Sequence, residues 1–205
     1  MNIKTMGNAL AIMKDNPKLF LQGISAKLKS RKQLPANLTE MEINGVKVRY
    51  RSEYDSYLNR LYYGTHDLAI RAIMKKLLRR GDTFIDIGGN IGRISTIALG
   101  LVGKTGAVHS FEPIPRYFKI LQELAQDNPE YQLTNNNCAL GEKSDNITMA
   151  VSQTNIGLNS LLPDLLSRDD VQEEVEVSVM RLDDYLQQNG LDKIALIKIF
   201  RCAWV

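Results

Sequence analysis

Cysteine and histidine are scarce in this sequence, with two of each among 205 residues. Cys138 and Cys202 give no basis for a disulfide framework or a zinc cluster, which is typical of a protein from a reducing compartment. His66 and His109 lie far apart, and neither is spaced as a metal ligand with another histidine or cysteine. We therefore expect no metal site and interpret both histidines as surface or packing residues.

The sequence also lacks a long uninterrupted apolar run, although 44% of its residues are hydrophobic. No stretch approaches the ~20 apolar residues of a membrane-spanning helix, and no apolar core of a secretion signal is evident. We expect a cytoplasmic protein whose length suits one domain with an appendage. A large charge excess is missing as well, since the net charge is only +3, and this argues against nucleic acid as a partner.

The basic residues that are present concentrate at the N-terminus, where residues 1–33 carry seven lysines and arginines against one acidic residue. Apolar residues among them suggest short helices broken at Asn16-Pro17. This segment is interpreted either as a solvated helix packed on the main domain or as a basic amphipathic helix making weak peripheral contact with an anionic membrane. Asn44-Gly45, between alternating apolar residues, predicts a β-hairpin. We assign residues 1–63 to an N-terminal basic helical segment with this hairpin, and residues 64–205 to the main domain.

The most informative motif is FIDIGGNIG at residues 84–92, an apolar strand followed by a glycine-rich turn that opens a helix. Glycines allow a tight turn and close approach of a ligand, and the first N–H groups of the helix face the same place. Ordinary connections between a strand and a helix also use glycine. The candidate cofactor-binding residues in the turn are Gly88, Gly89, Asn90 and Gly92.

Two acidic residues near this motif support the prediction of a nucleotide-cofactor site in an α/β fold. A second apolar strand, residues 107–111, ends at Glu112, where nucleotide-binding units place an acid for the ribose hydroxyls. Asp86, two residues before the first glycine, would repel the pyrophosphate of NAD but attract the ammonium and sulfonium of S-adenosylmethionine. The charge therefore favours the methyl donor. The alternative is that Asp86 only caps the following helix.

Four segments together resemble the FkbM-like class I S-adenosylmethionine-dependent methyltransferases, over about Tyr63 to Ile199. They are FIDIGGNIG, HSFEPIPRYFKIL (residues 109–121), NNNCALGEKSDNITM (135–149) and VMRLDDYL…LIKI (179–199). The resemblance implies a Rossmann-like class I methyltransferase sheet and O-methyl transfer to a sugar hydroxyl in a glycan or to another small hydroxylated acceptor. It also implies that Asp86, Gly88 and Gly92 would line the methionine end of S-adenosylmethionine. Glu112 would hold the ribose, and Cys138 with Ala139 would pass near the adenine.

One departure from the family pattern follows Lys198-Ile199. Members of the family continue with an aspartate and then a glutamate-glycine segment, whereas this chain continues with Phe200 and stops at Val205. We expect the C-terminal strands of the sheet to be missing, so a noncatalytic cofactor-binding remnant or interaction module is the main alternative to an enzyme. An NAD-dependent oxidoreductase is a further alternative, and no residue is assigned as catalytic.

Two alternating stretches near the end of the main domain predict an antiparallel ribbon. Residues 147–151 and 175–179 place apolar side chains at every second position, which is typical of half-exposed strands. The polar, leucine-containing stretch 156–170 would join them, either covering an acceptor pocket or capping the fold.

Overall fold

A computed structural model describes residues 33–65, 67–152 and 171–200, together with Ser25. Four sequence interpretations lie outside these described residues: the basic N-terminal segment up to residue 32, His66, the linking stretch 156–170, and residues 201–205 with Cys202.

The chain divides into two compact units, Met1–Glu42 with Arg49–Ala72 and Ile43–Val48 with Ile73–Val205. The boundary between residues 63 and 64 stays a prediction. In chain order the strands and helices are β1 Glu40–Ile43, β2 Val46–Arg49, α1 Asp55–Tyr62, α2 Leu68–Leu77, β3 Thr83–Ile87, α3 Arg93–Val102, β4 Ala107–Phe111, α4 Pro115–Asp127, β5 Gln132–Asn136, β6 Ala139–Leu140, β7 Asp145–Ser152, β8 Val171–Met180, α5 Leu182–Gln188 and β9 Leu196–Ile199.

The predicted hairpin is confirmed, since β1 and β2 form a two-stranded sheet. Asn44 and Gly45 between them have φ angles of 54° and 86°. Positive φ at both central positions is what a type I′ turn requires, and asparagine and glycine tolerate it best. The backbone preferences of Asn44-Gly45 therefore determine where the hairpin turns.

The main sheet has four strands in the order β5-β4-β3-β9, and all three pairings are parallel. β3 and β4 are buried along nearly their whole length, because helices cover both faces of such a sheet and leave no solvent side. β3, the first strand of this sheet in chain order, thus lies between β4, the second, and β9, the fourth, as in doubly wound nucleotide-binding folds. The predicted Rossmann-like α/β class is confirmed.

Helices α3 and α4 begin directly beyond the carboxyl ends of β3 and β4. α3 is mostly apolar and buries seven of its ten residues. α4 begins at Pro115, where the missing N–H of proline costs no helical hydrogen bond, and it buries Tyr117, Leu121 and Leu124. Both helix starts therefore lie at the edge of the sheet where parallel α/β folds bind ligands.

A second sheet contains β6, β8 and β7 in that order, with β7 and β8 antiparallel over residues 145–152 and 171–180. The predicted antiparallel ribbon is confirmed. Helix α5 follows β8, and its Tyr185 packs in a buried cluster with Ile87, Phe111 and Cys138. His109 is buried there too, with Nδ1 2.7 Å from the Tyr185 hydroxyl, so this histidine is a packing residue.

The helices in the described part of the chain are short, and the longest has 13 residues. None has both the length and the apolar character needed to cross a membrane.

Candidate functional site

The turn after β3 is built by glycines at positions where a side chain would strain the backbone. Gly88 and Gly92 have φ angles of 80° and 78°, and Asn90 between them has 51°. Asparagine tolerates this left-handed region better than most residues. The N–H groups of Gly88 and Gly89 both donate to the Phe111 carbonyl, at 2.9 and 3.0 Å. The turn is therefore attached to the end of β4.

Two of the glycines also lie in tight contact with side chains inside the protein. A Cβ on Gly89 would collide with Ser110 Oγ and lie 3.0 Å from Leu121 Cδ1. A Cβ on Gly92 would lie 3.0 Å from Leu124 Cδ2 and 3.1 Å from Leu121 Cδ2. Helix α4 thus packs directly on the turn. The glycines of this motif therefore allow close packing of helix α4, in addition to any close approach of a ligand.

Asp86 lies at the carboxyl end of β3, as predicted, but its side chain is fully buried. Ser95 Oγ donates to its Oδ2 at 2.6 Å, and Lys198 Nζ donates to its Oδ1 at 2.7 Å. The residue before α3 is Gly92, and this helix has no side-chain cap, so Asp86 does not cap it. The carboxylate instead connects helix α3, through Ser95, to β9, the last described strand.

Lys198 is one of two residues near the site that sequence reasoning missed. Its ammonium also donates to the carbonyl oxygens of Ile87 and Gly88, at 3.1 and 2.7 Å, and it lies 3.9 Å from the centre of the Phe200 ring. An ammonium has three N–H donors, and three acceptors surround this one. The available signal was a lysine inside the otherwise apolar run LIKI, because a buried lysine needs a partner.

This ion pair removes the basis of the charge argument drawn from Asp86 alone. β3 and β9 pair in parallel with Asp86 opposite Lys198, so one positive and one negative charge are buried side by side. Their sum is zero, and the repulsion of a pyrophosphate expected from an isolated carboxylate is largely cancelled. Preference for S-adenosylmethionine over NAD therefore needs support other than the charge of Asp86.

Glu112 follows β4 and is buried, with 4% of its surface exposed. The backbone N–H of Asn90 donates to its Oε2 at 2.7 Å, and that of Ile114 donates to its Oε1 at 3.0 Å. Burial raises the pKa of Glu112 to about 7, although the two backbone hydrogen bonds act in the opposite direction. The structure thus brings together two predicted site residues, Asn90 and Glu112, at the carboxyl edge of the sheet.

Cys138 and Ala139 are buried at the start of the second sheet. Burial raises the pKa of the Cys138 thiol to about 11, so this cysteine is protonated at neutral pH and is a packing residue rather than a nucleophile. The neighbouring Asn137 donates from Nδ2 to the carbonyl oxygens of Glu112 and Pro113, at 2.8 and 3.0 Å. Asn137 therefore holds this segment beside Glu112, and it is a second residue that the sequence did not single out.

Comparison with known proteins gives one family. The model of the methyltransferase FkbM domain matches residues 86–199, which is more than half of the chain and includes every predicted cofactor-binding residue. No curated protein matches the sequence.

Methyltransferases of low sequence identity are among the solved structures that resemble the chain. A methyltransferase FkbM from Methylobacillus flagellatus KT is 12% identical, with a TM-score of 0.34, over 82% of this chain and 39% of that one. An S-adenosylmethionine-dependent O-methyltransferase from Thermotoga maritima is 16% identical, with a TM-score of 0.32, over 53% and 48%. Fibrillarin from Aeropyrum pernix, which holds natively bound S-adenosyl-L-methionine, is 19% identical, with a TM-score of 0.28, over 53% and 44%.

The chain spans less than half the length of each of these three solved proteins. At such identities and TM-scores they add nothing about activity, and the assignment depends on the family model. With its parallel sheet, its glycine turn and its match over residues 86–199, the chain belongs to the FkbM methyltransferase family.

Proposed function

We propose that this chain binds S-adenosylmethionine and transfers its methyl group to a hydroxyl oxygen of a sugar or another small hydroxylated acceptor. The observation that carries the proposal is the placement of Glu112, whose carboxylate lies against the N–H of Asn90 at the carboxyl end of the parallel strands. This is the edge where open α/β sheets bind nucleotides, in a chain of a methyltransferase family.

The geometry of Glu112 suits a ribose. Each of its carboxylate oxygens accepts one backbone N–H and has a second lone pair, so two further O–H donors can be accepted. Two neighbouring ribose hydroxyls provide two such donors. Because the carboxylate is held by backbone groups on both sides, little side-chain entropy is lost when the ribose binds.

The turn supports the same cofactor through its shape. Gly88 and Gly92 hold positive φ angles, and Asn90 places its N–H on Glu112, so the strand end, the turn and the ribose carboxylate form one preorganised unit. In this proposal Cys138 and Ala139 contribute a buried apolar wall towards the adenine, positioned by the hydrogen bonds of Asn137.

The chemistry needs positioning more than it needs functional groups on the protein. When bound, S-adenosylmethionine supplies an activated methyl group on its sulfonium. The chain holds the nucleoside end through Glu112 and the turn, which fixes the direction from which an acceptor oxygen approaches. No described residue is assigned as the general base.

Binding of the cofactor is tested by calorimetry on the purified chain, with S-adenosylmethionine and NAD in separate titrations. We expect saturable binding of S-adenosylmethionine only. Glu112→Ala should weaken it about tenfold or more, because the hydrogen bonds from the two ribose hydroxyls to this carboxyl group are lost. Glu142→Ala, at an exposed glutamate, is the matched control and should bind like the unaltered chain.

Each alternative predicts a different titration. Saturable binding of NAD without S-adenosylmethionine would replace the proposal with an oxidoreductase. Binding of S-adenosylmethionine without methyl transfer to any of a panel of sugars and small hydroxylated compounds would support the noncatalytic cofactor-binding module. We also propose that the acceptor is a small molecule or glycan rather than nucleic acid, and that the protein acts in the cytoplasm. Weak membrane contact through the basic N-terminus stays a prediction, since that segment lies outside the described residues.

A further inference from the structure

The ammonium of Lys198 lies among acceptors that suit the amino-acid end of a ligand. It donates to Asp86 Oδ1 and Gly88 O at 2.7 Å each, and to Ile87 O at 3.1 Å. A carboxylate and two carbonyl oxygens at the end of β3 are the partners that any ammonium entering this edge of the sheet would need. In the described structure the protein supplies that ammonium itself.

We propose that Lys198 is an internal competitor for the α-ammonium of S-adenosylmethionine, so that binding of the methionine end displaces Lys198 from Asp86 and Gly88. The inference rests on the proposed function, because it takes Asp86 and Gly88 as the residues that meet the methionine end. It adds a specificity-determining residue that lies on β9, 112 positions away from Asp86.

Charge and burial make the two ammonium groups mutually exclusive. Asp86 is 0% exposed, and its second oxygen already accepts the Ser95 hydroxyl at 2.6 Å. A second cation beside Lys198 Nζ would meet a like charge where little water screens it. The buried Asp86 carboxylate can therefore pair with one ammonium group at a time.

In this proposal the Lys198 side chain leaves Asp86 while β9 stays paired with β3. β9 is at one end of the sheet formed by the described strands, and Phe200, whose ring contacts the Lys198 ammonium, is 38% exposed. A lysine has four flexible methylenes that can carry its ammonium towards solvent while the stem stays packed. The Phe200 ring, 3.9 Å from Nζ, attracts the cation and favours the inward position until a ligand competes.

The test compares two ligands that share the adenosine and the sulfur but differ in the amino-acid end. S-adenosylhomocysteine carries the α-ammonium, and 5′-methylthioadenosine lacks the amino-acid end altogether. We measure the ratio of their affinities by calorimetry for the unaltered chain and for Lys198→Met, which removes the ammonium and keeps the apolar stem. The expected result is a rise of about tenfold in favour of S-adenosylhomocysteine, since one charge-assisted hydrogen bond is regained.

An unchanged or lower ratio in Lys198→Met overturns the inference, and a lower ratio would assign Lys198 to binding the ligand carboxylate instead. Asp86→Asn/Lys198→Met is the control, and it should lose most of the gain because the carboxylate is absent. If Lys198→Met unfolds by itself, S-adenosylhomocysteine should restore its folding and 5′-methylthioadenosine should not; failure of both, or success of both, overturns the inference. If neither ligand binds the unaltered chain or the variants, the proposed function fails and the inference fails with it.

Discussion

Glu112 gives a prediction about stability that does not depend on any ligand. Its carboxyl group is buried, and the pKa is raised from 4.5 to about 7, chiefly because burial disfavours the charged form. The folded protein therefore holds a proton on Glu112 that the unfolded chain releases between these two values. Stability from this group is fully present below pH 4.5 and is lost as the pH rises through about 7.

The magnitude follows from the size of the pKa change. A displacement of about two to three pH units, at roughly 1.4 kcal/mol for each, corresponds to about 3 kcal/mol of unfolding free energy. Replacing the group by an amide removes the titration. The difference in unfolding free energy between Glu112→Gln and the unaltered chain should thus shift by about 3 kcal/mol in favour of the variant from about pH 4 to about pH 9.

Urea denaturation at a series of pH values measures this difference directly. Other titrating groups are common to both proteins and cancel, while a hydrogen bond weakened by the amide adds an offset that does not change with pH. A difference that stays flat across the series would refute the reasoning, because Glu112 would then titrate alike in the folded and unfolded chains. A shift in the opposite direction would mean that the two backbone hydrogen bonds outweigh burial.

Three further substitutions test the packing around the turn, each by urea denaturation. Asp86→Asn should lower the free energy of unfolding by about 3 kcal/mol, since the Lys198 charge stays buried without its counter-charge. Asp86→Asn/Lys198→Met should recover most of that loss, and a double variant as unstable as the single one would contradict this. Gly89→Ala should cost about 1–3 kcal/mol because its Cβ meets the Ser110 hydroxyl, and Ser110→Ala in the same chain should relieve part of it, so equal losses with and without that second change would count against the contact. Tyr185→Phe should cost about 1–3 kcal/mol, because the buried imidazole of β4 loses its partner at 2.7 Å; a neutral result would mean that water replaces the hydroxyl.

The local elements were readable from the sequence because each depends on neighbouring residues. Asn44-Gly45 specifies a tight turn through its own backbone preferences, and the hairpin is present. The apolar strand, the glycines and the following helix in residues 84–92 are adjacent in the chain, so their order alone indicated a parallel α/β unit. The family could be recognised for the same reason, since its motifs are short and ordered along the sequence.

What the tertiary structure alone decided is the electrostatic state of the site. The sequence placed an aspartate at the end of β3 and left it without a partner, whereas folding aligns β9 with β3 and brings Lys198 to it from 112 positions away. Likewise, Glu112 was predicted to be a ribose ligand, but only the fold shows it held by the N–H of Asn90 and shifted in pKa by burial. Strand register and burial depend on contacts between distant segments, and the ionisation of the groups at this edge depends on both register and burial. The sequence therefore determined which groups are at this edge, and the fold determined how they are paired.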